Sequence, residues 1–184
     1  MATTTEFLAA ANKAHFNENA HNYDATPYIL EAAKQSVYSH AMIGEGILAE
    51  IPFDKESTIV MDFACGTGLV ANVLVPHSKA LTGIDISEGM INQFTQRFEK
   101  QGLSSDKVRG IRKELKGEPG DVVVGGHLVI IDNEPTTVNT DTEADGDLPK
   151  HTIGKPDGFT GAEMEKLFTD AGLLSYTYHH LTQF

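Results

Sequence analysis

The chain is short of the features that would send it out of a reducing compartment. Its only cysteine, Cys65, cannot close an internal disulfide. Between Met1 and Phe16 there is neither a basic start nor a continuous apolar run of signal-peptide length, so a cytoplasmic protein is expected. No stretch approaches the roughly 20 apolar residues that span a bilayer, and no membrane partner is expected. A basic stripe with interleaved aromatics is also missing. The formal net charge is -12, and residues 118–184 hold 12 Asp and Glu against 3 Lys and Arg. That field repels phosphate backbones, which excludes nucleic acid as the expected partner and leaves a small molecule.

What is present suits one domain. At 184 residues and 40% hydrophobic content, the chain can bury a single core without staples. We expect residues 1–52 to form a helical lid and 53–184 an α/β core within one domain spanning 1–184. Thr26 as N-cap, Pro27 at the first helical position and Leu30, Ala33, Val37, Ala41 and Leu48 at roughly helical spacing predict a long helix before Pro52. A strand over 58–64, a Gly66-Thr-Gly68 turn and a short helix over 69–75 follow. A second strand over 80–85 leads to a helix capped by Ser87, with Ile91, Phe94 and Phe98 on one face and Gly102 at its end.

Val108–Leu115 reads as a weaker strand, Asp121–Asp132 as a long apolar one interrupted by Gly125-Gly126, and 133–158 as an acidic loop. Thr160-Gly-Ala-Glu163 is a capping box for a helix expected to bury Met164, Leu167, Phe168 and Ala171. The tail from Leu173 is β-prone. Strands alternating with amphipathic helices predict a mostly parallel, Rossmann-like three-layer α/β sandwich. Its ligand is expected at the C-terminal ends of the strands.

The chemistry-bearing residues cluster there. Gly66 and Gly68 let a backbone approach a ligand closely, and the next helix offers unpaired N–H groups. Asp85, 17 residues after Gly68 at the end of the second strand, is placed to accept both hydroxyls of a ribose. Each element alone also fits an ordinary tight α/β turn with a surface Asp. Together they imply a nucleoside-containing cofactor. Gly66-x-Gly68-x-x-Ala71 with Asp85 also satisfies the dinucleotide fingerprint, so NAD competes. Asp62 argues against it: a carboxylate four residues before Gly66 would repel a pyrophosphate but serve the ammonium end of a methionine moiety. No Tyr-x-x-x-Lys pair for hydride chemistry occurs either.

Met61-Asp-Phe-Ala-Cys-Gly-Thr-Gly68 resembles the first motif of class I S-adenosylmethionine (SAM)-dependent methyltransferases. Gly83-Ile-Asp-Ile-Ser-Glu-Gly-Met90 resembles their second motif. Upstream, Ala14-His-Phe-Asn and Tyr23-Asp24 look like the N-terminal lid of small-molecule enzymes of the ubiquinone/menaquinone type. Downstream, Gly125-Gly-His-Leu-Val-Ile-Ile-Asp132 and Gly158-Phe-Thr160 continue the likeness. The resemblance implies SAM as cofactor and a small-molecule methyl acceptor. Asp62 with the Ala64, Cys65, Gly66 and Gly68 backbone would hold the methionine end, Asp85 the ribose, and Ile86 and Met90 the adenine; for Met90, plain core packing competes. Ala64 stands where the family usually has glycine.

Two departures bear on turnover. Asp121-Val-Val-Val124, like the family's fourth strand, runs straight into Gly125-Gly-His-Leu-Val of the fifth, although a parallel crossover needs roughly a dozen residues. The chain also stops at Phe184, before the family's last strand. An incomplete sheet, weak or absent methyl transfer, and association with a second subunit are therefore expected; no catalytic residue is assigned. A non-catalytic SAM-binding or partner-binding module is the alternative function. No metal site is expected: Asp141-x-Glu-x-Asp-Gly146 lacks the closing Glu of a calcium loop, and His179 and His180 point to opposite faces of a strand. Cys65 is expected to be a small residue filling the turn.

Overall fold

A computed structural model of the protein describes residues 4–25, 40–114 and 160–170. Two compact units divide the chain, one of Asn12–His127 and one of Met1–Ala11 with Leu128–Gln183. In the first unit lie the end of helix α1 (Thr4–Asn19), a 3-10 turn (Tyr23–Ala25), α2 (His40–Glu50), β1 (Ile59–Phe63), α3 (Leu69–Leu74), β2 (Ala80–Asp85), α4 (Glu88–Lys100) and β3 (Val108–Arg112). The second contains α5 (Gly161–Asp170).

The strands form a parallel sheet in the order β1-β2-β3, as the alternation of strands with helices predicts. Asp62 lies opposite Gly83, and Gly83 opposite Gly110. In-register residues of a parallel pair share a face, so Val60, Leu81 and Val108 point the same way as Asp62 and Asp85. That face meets α4, and the core gathers there: Leu81, Val108, Ile91, Phe94, Phe98, Ala71, Leu74 and Val75. The opposite face presents Ile59 at 73% and Phe63 at 60% exposure, with Met61 and Ile111 also exposed. A second helical layer is not found among the described residues.

The helix α4 obeys its sequence signals. Ser87 Oγ accepts the Met90 N–H at 3.1 Å, which satisfies a donor of the first turn, and Arg97 and Lys100 lie at the negative end of the helix dipole. Its end is a Schellman motif: Leu103 N–H bonds Phe98 C=O at 3.1 Å, Gly102 N–H bonds Glu99 C=O at 2.9 Å, and Gly102 takes φ 74°, a left-handed turn that glycine adopts without cost. In α5, Thr160 and Glu163 form the reciprocal capping box, with Thr160 N–H to Glu163 Oε2 at 2.8 Å and Glu163 N–H to Thr160 Oγ1 at 3.2 Å.

Three sequence expectations are corrected. The first short helix ends at Leu74, and Pro76 lies inside a 3-10 turn over Val75–His77 rather than after the helix; proline's fixed φ is compatible with that tighter turn. The third strand ends at Arg112 instead of Leu115. Met164 is buried, but Leu167 is 49% exposed. The readings of Thr26 to Val37, Asp121–Asp132, the acidic loop, Phe168, Ala171 and the tail concern positions whose side chains or backbone lie outside the described residues.

Glycine at 68, 83 and 110 makes room for one ring. A Cβ at Gly83 would lie 2.6 Å from the Phe94 ring, one at Gly68 2.8 Å and one at Gly110 3.2 Å; Phe94 itself is fully buried, edge-to-face with Phe98 at 4.8 Å between centroids. Gly83→Ala is therefore expected to cost about 1–3 kcal/mol through overpacking, read as a lower urea midpoint with unchanged slope. Combined with Phe94→Leu, the two losses should be less than additive, since the smaller side chain removes the clash.

Candidate functional site

The site is built where β1 and β2 end. After Phe63 the chain turns through residues 64–68 into α3. Ala64, Gly66 and Gly68 all have positive φ, at 59°, 53° and 85°. For Ala64, which is exposed, a left-handed conformation costs roughly 1–2 kcal/mol; this is the physical content of alanine replacing the expected glycine. Gly68 needs its lack of a side chain twice over, for φ and for the Phe94 ring. Gly66 differs: among the described residues nothing lies within 4 Å of where its Cβ would be, so they leave open space against its backbone.

Asp85 holds this turn. Its Oδ2 accepts the Gly66 N–H at 3.0 Å and its Oδ1 accepts the Ser87 N–H at 2.8 Å. At 8% exposure, such a carboxylate is tolerable only because charge-assisted bonds offset its lost hydration. Each oxygen keeps a second lone pair, so Asp85 can still accept a ligand hydroxyl.

Asp62 lies on the same sheet face, one strand over. Its Oδ2 is buried and has no hydrogen-bond partner among the described residues. Burial, and secondarily the charge of Asp85, push its carboxyl up to about 6. Cys65, buried in the turn, has its thiol pushed well up by burial and by both carboxylates, so it is a packed neutral thiol with its Sγ 3.7 Å from Gly66 O. Of the remaining predicted residues, Ile86 is half-buried. Met90 is 2% exposed, consistent with a packing role. Asp62, Ala64, Cys65, Gly66, Gly68, Asp85 and Ile86 thus converge on one end of the sheet.

Sequence reasoning gave no site role to three residues, although two of them, Asn17 and Asp24, stand in the upstream segments that carry the resemblance. Asn17, on α1, accepts from Ser87 Oγ at 2.8 Å and from Gly89 N–H at 3.0 Å, adding a second cap to α4. Asp24 accepts from Thr67 Oγ1 at 2.6 Å and pairs with Arg97. Arg97 Nε also donates to Thr67 C=O at 2.8 Å. No local pattern signals these contacts, because they join short polar side chains separated by 30 to 73 residues. Among the described residues, no group of three His, Cys, Asp or Glu side chains could hold a metal ion, and no helix is long and apolar enough to cross a membrane.

Residues 60–139 match the family described as "Methyltransferase domain". An uncharacterized methyltransferase of Schizosaccharomyces pombe is 36% identical over 53 residues, 29% of this chain and 19% of that protein. The ubiquinone biosynthesis O-methyltransferase of Maricaulis maris is 32% identical over 82 residues, 43% of this chain and 32% of that protein. The chain thus spans about a fifth to a third of the length of these relatives. Among solved structures, the magnesium protoporphyrin IX methyltransferase of Synechocystis PCC 6803 with bound SAM is similar at a TM-score of 0.47 and 14% identity, over 58% of this chain and 54% of that one.

Two outcomes are expected from the site's geometry. Asp62 binds its proton more tightly folded than unfolded, with a folded value near 6 against 3.8. Its proton therefore contributes stability that is complete below 3.8 and lost as pH rises through about 6. Asp62→Asn should then be more stable than wild type above pH 6 by about 1–3 kcal/mol, with the advantage vanishing near pH 4 in denaturation curves. Ala64→Gly should raise stability by about 0.5–1 kcal/mol, since relief of the left-handed penalty exceeds glycine's extra unfolded-chain entropy.

Proposed function

We propose that the protein is a class I, SAM-dependent methyltransferase fold that binds SAM at the 64–68 turn and directs its methyl group to a small molecule, a reading supported by the match of residues 60–139 to a methyltransferase domain. The observation that carries the reading is the buried Asp62 Oδ2, unpartnered among the described residues, on the strand that leads into the turn whose Gly66 has no described atom within 4 Å of its Cβ position. An ammonium group there would supply the missing donor and the missing countercharge together. A pyrophosphate would instead meet the Asp62 carboxylate, which disfavours NAD.

On this reading Asp62 and the backbone of Ala64, Cys65, Gly66 and Gly68 hold the methionine end. Asp85 accepts the ribose hydroxyls on its spare lone pairs while keeping the turn in place. Ile86 offers apolar surface to the adenine, and Met90, already buried, supports the packing behind it. When bound, SAM supplies an electrophilic methyl group on a sulfonium. The protein's contribution is position: held reactants gain effective concentration, and a preset turn spares the entropy of ordering. No general base is assigned. Cytoplasmic residence fits the reduced Cys65 thiol and stays part of the proposal.

A second reading, a SAM-binding or partner-binding module without turnover, is favoured by the sequence, in which Val124 is followed directly by Gly125-Gly126 whereas a parallel crossover needs roughly a dozen residues. S-adenosylhomocysteine release against a panel of small-molecule acceptors separates the two.

For cofactor choice, SAM or S-adenosylhomocysteine should raise the melting temperature more than NAD does, with about 2.7 kcal/mol of stabilisation at a hundredfold excess over Kd. The affinity for SAM should fall as pH drops through about 6, where Asp62 takes up its proton. A larger shift with NAD, or a pH-independent affinity, would contradict the assignment.

A further inference from the structure

Thr67 is gripped from two sides. It is 3% exposed, its hydroxyl donates to Asp24 Oδ1 at 2.6 Å, and its carbonyl accepts from Arg97 Nε at 2.8 Å. Arg97 and Asp24 pair with each other, which closes a ring of three residues drawn from the 3-10 turn, the glycine turn and α4. Residues in left-handed conformations alternate around Thr67; Gly68 packs on Phe94, but among the described residues nothing packs against the Cβ position of Gly66. Hydrogen bonds hold the Gly66–Thr67 stretch: Asp85 at the Gly66 N–H, and the Asp24–Arg97 pair at Thr67. Charge-assisted bonds of this kind are the strong ones, and they fix a backbone only when their partners are themselves fixed. Asp24 is fixed by Arg97, and Arg97 by α4, whose start Asn17 grips from α1.

We propose that Asp24 is a positioning residue: by holding Thr67 it keeps the Cys65–Gly68 backbone in its ligand-ready shape, and it sets how long a ligand stays on the turn. The inference rests on the reading of that turn as the SAM site. It adds that a side chain 43 residues upstream, touching no ligand, controls residence time.

The test is the dissociation rate of S-adenosylhomocysteine from the full chain, measured by surface plasmon resonance. Asp24→Ala is expected to speed dissociation on the order of tenfold, with association changed less than about twofold, as for loss of one charge-assisted bond that shapes the bound state. Because the two residues act as one unit, Asp24→Ala with Thr67→Val should dissociate no faster than the worse single variant. Additive effects, or an unchanged rate in a folded Asp24→Ala protein, would overturn the proposal. If the alanine variant does not fold, Asp24→Asn, which keeps an acceptor for Thr67 but loses the charge facing Arg97, carries the same comparison with a smaller increase expected. Failure of the wild-type protein to bind S-adenosylhomocysteine would count against the cofactor reading alone. Amide hydrogen exchange without ligand then decides for Asp24: faster exchange at Gly66–Gly68 in the variant, with the α4 amides unchanged, supports the role, and unchanged exchange overturns it.

Discussion

Asp85 is a buried negative charge at the end of β2, and two backbone N–H groups keep it there. One belongs to Gly66, in the turn after β1, and the other to Ser87, which starts α4. A single side chain thus ties the ends of two β-α units. With the turn held by Asp85, Gly68 comes against Phe94, and the ring of Phe94 fills the space left by three glycines. The sheet, the helix and the turn are then one packed object, because moving any of them exposes Phe94 or strips Asp85 of its donors.

The same charge creates the tension on which the functional reading rests. Asp62 sits on the neighbouring strand with a buried oxygen to which no described residue donates, and burial, with the Asp85 charge second, raises its carboxyl. Burying the Asp62 carboxylate without a countercharge costs stability. Natural proteins keep such groups where a ligand relieves the cost, and violations of local satisfaction concentrate at functional sites. A cationic group satisfies Asp62, and hydroxyls can use the spare lone pairs of Asp85. The geometry therefore selects for a ligand with a positive end and a polyhydroxyl middle.

Much of this was legible in the residues. The period-2 runs around Val60 and Leu81, the Ser87 cap, Gly102 and the Thr160–Glu163 box are local signals, and each recurs in the structure because its physics is local. The glycine turn was legible too, but not the left-handed φ of Ala64, since nothing in a sequence marks a non-glycine residue forced into a conformation by its neighbours. Asn17, Asp24 and Arg97 escaped for a different reason: their partners are long-range and polar, and periodicity encodes only apolar faces. The exposure of Ile59, Met61 and Phe63 runs against the usual burial of both faces of a parallel sheet, and a strand's own pattern cannot tell whether anything covers it.

The central claim is that the 64–68 turn, with Asp62 below it and Asp85 beside it, is where the cofactor binds. Titrating S-adenosylhomocysteine into 15N-labelled protein and following the backbone amide resonances tests this most directly. The account predicts that the largest shifts fall at Cys65 to Gly68 and at Ile86 and Ser87, with the Gly102 and Leu103 resonances at the far end of α4 unmoved. Shifts centred elsewhere, with the turn unaffected at saturation, would contradict it.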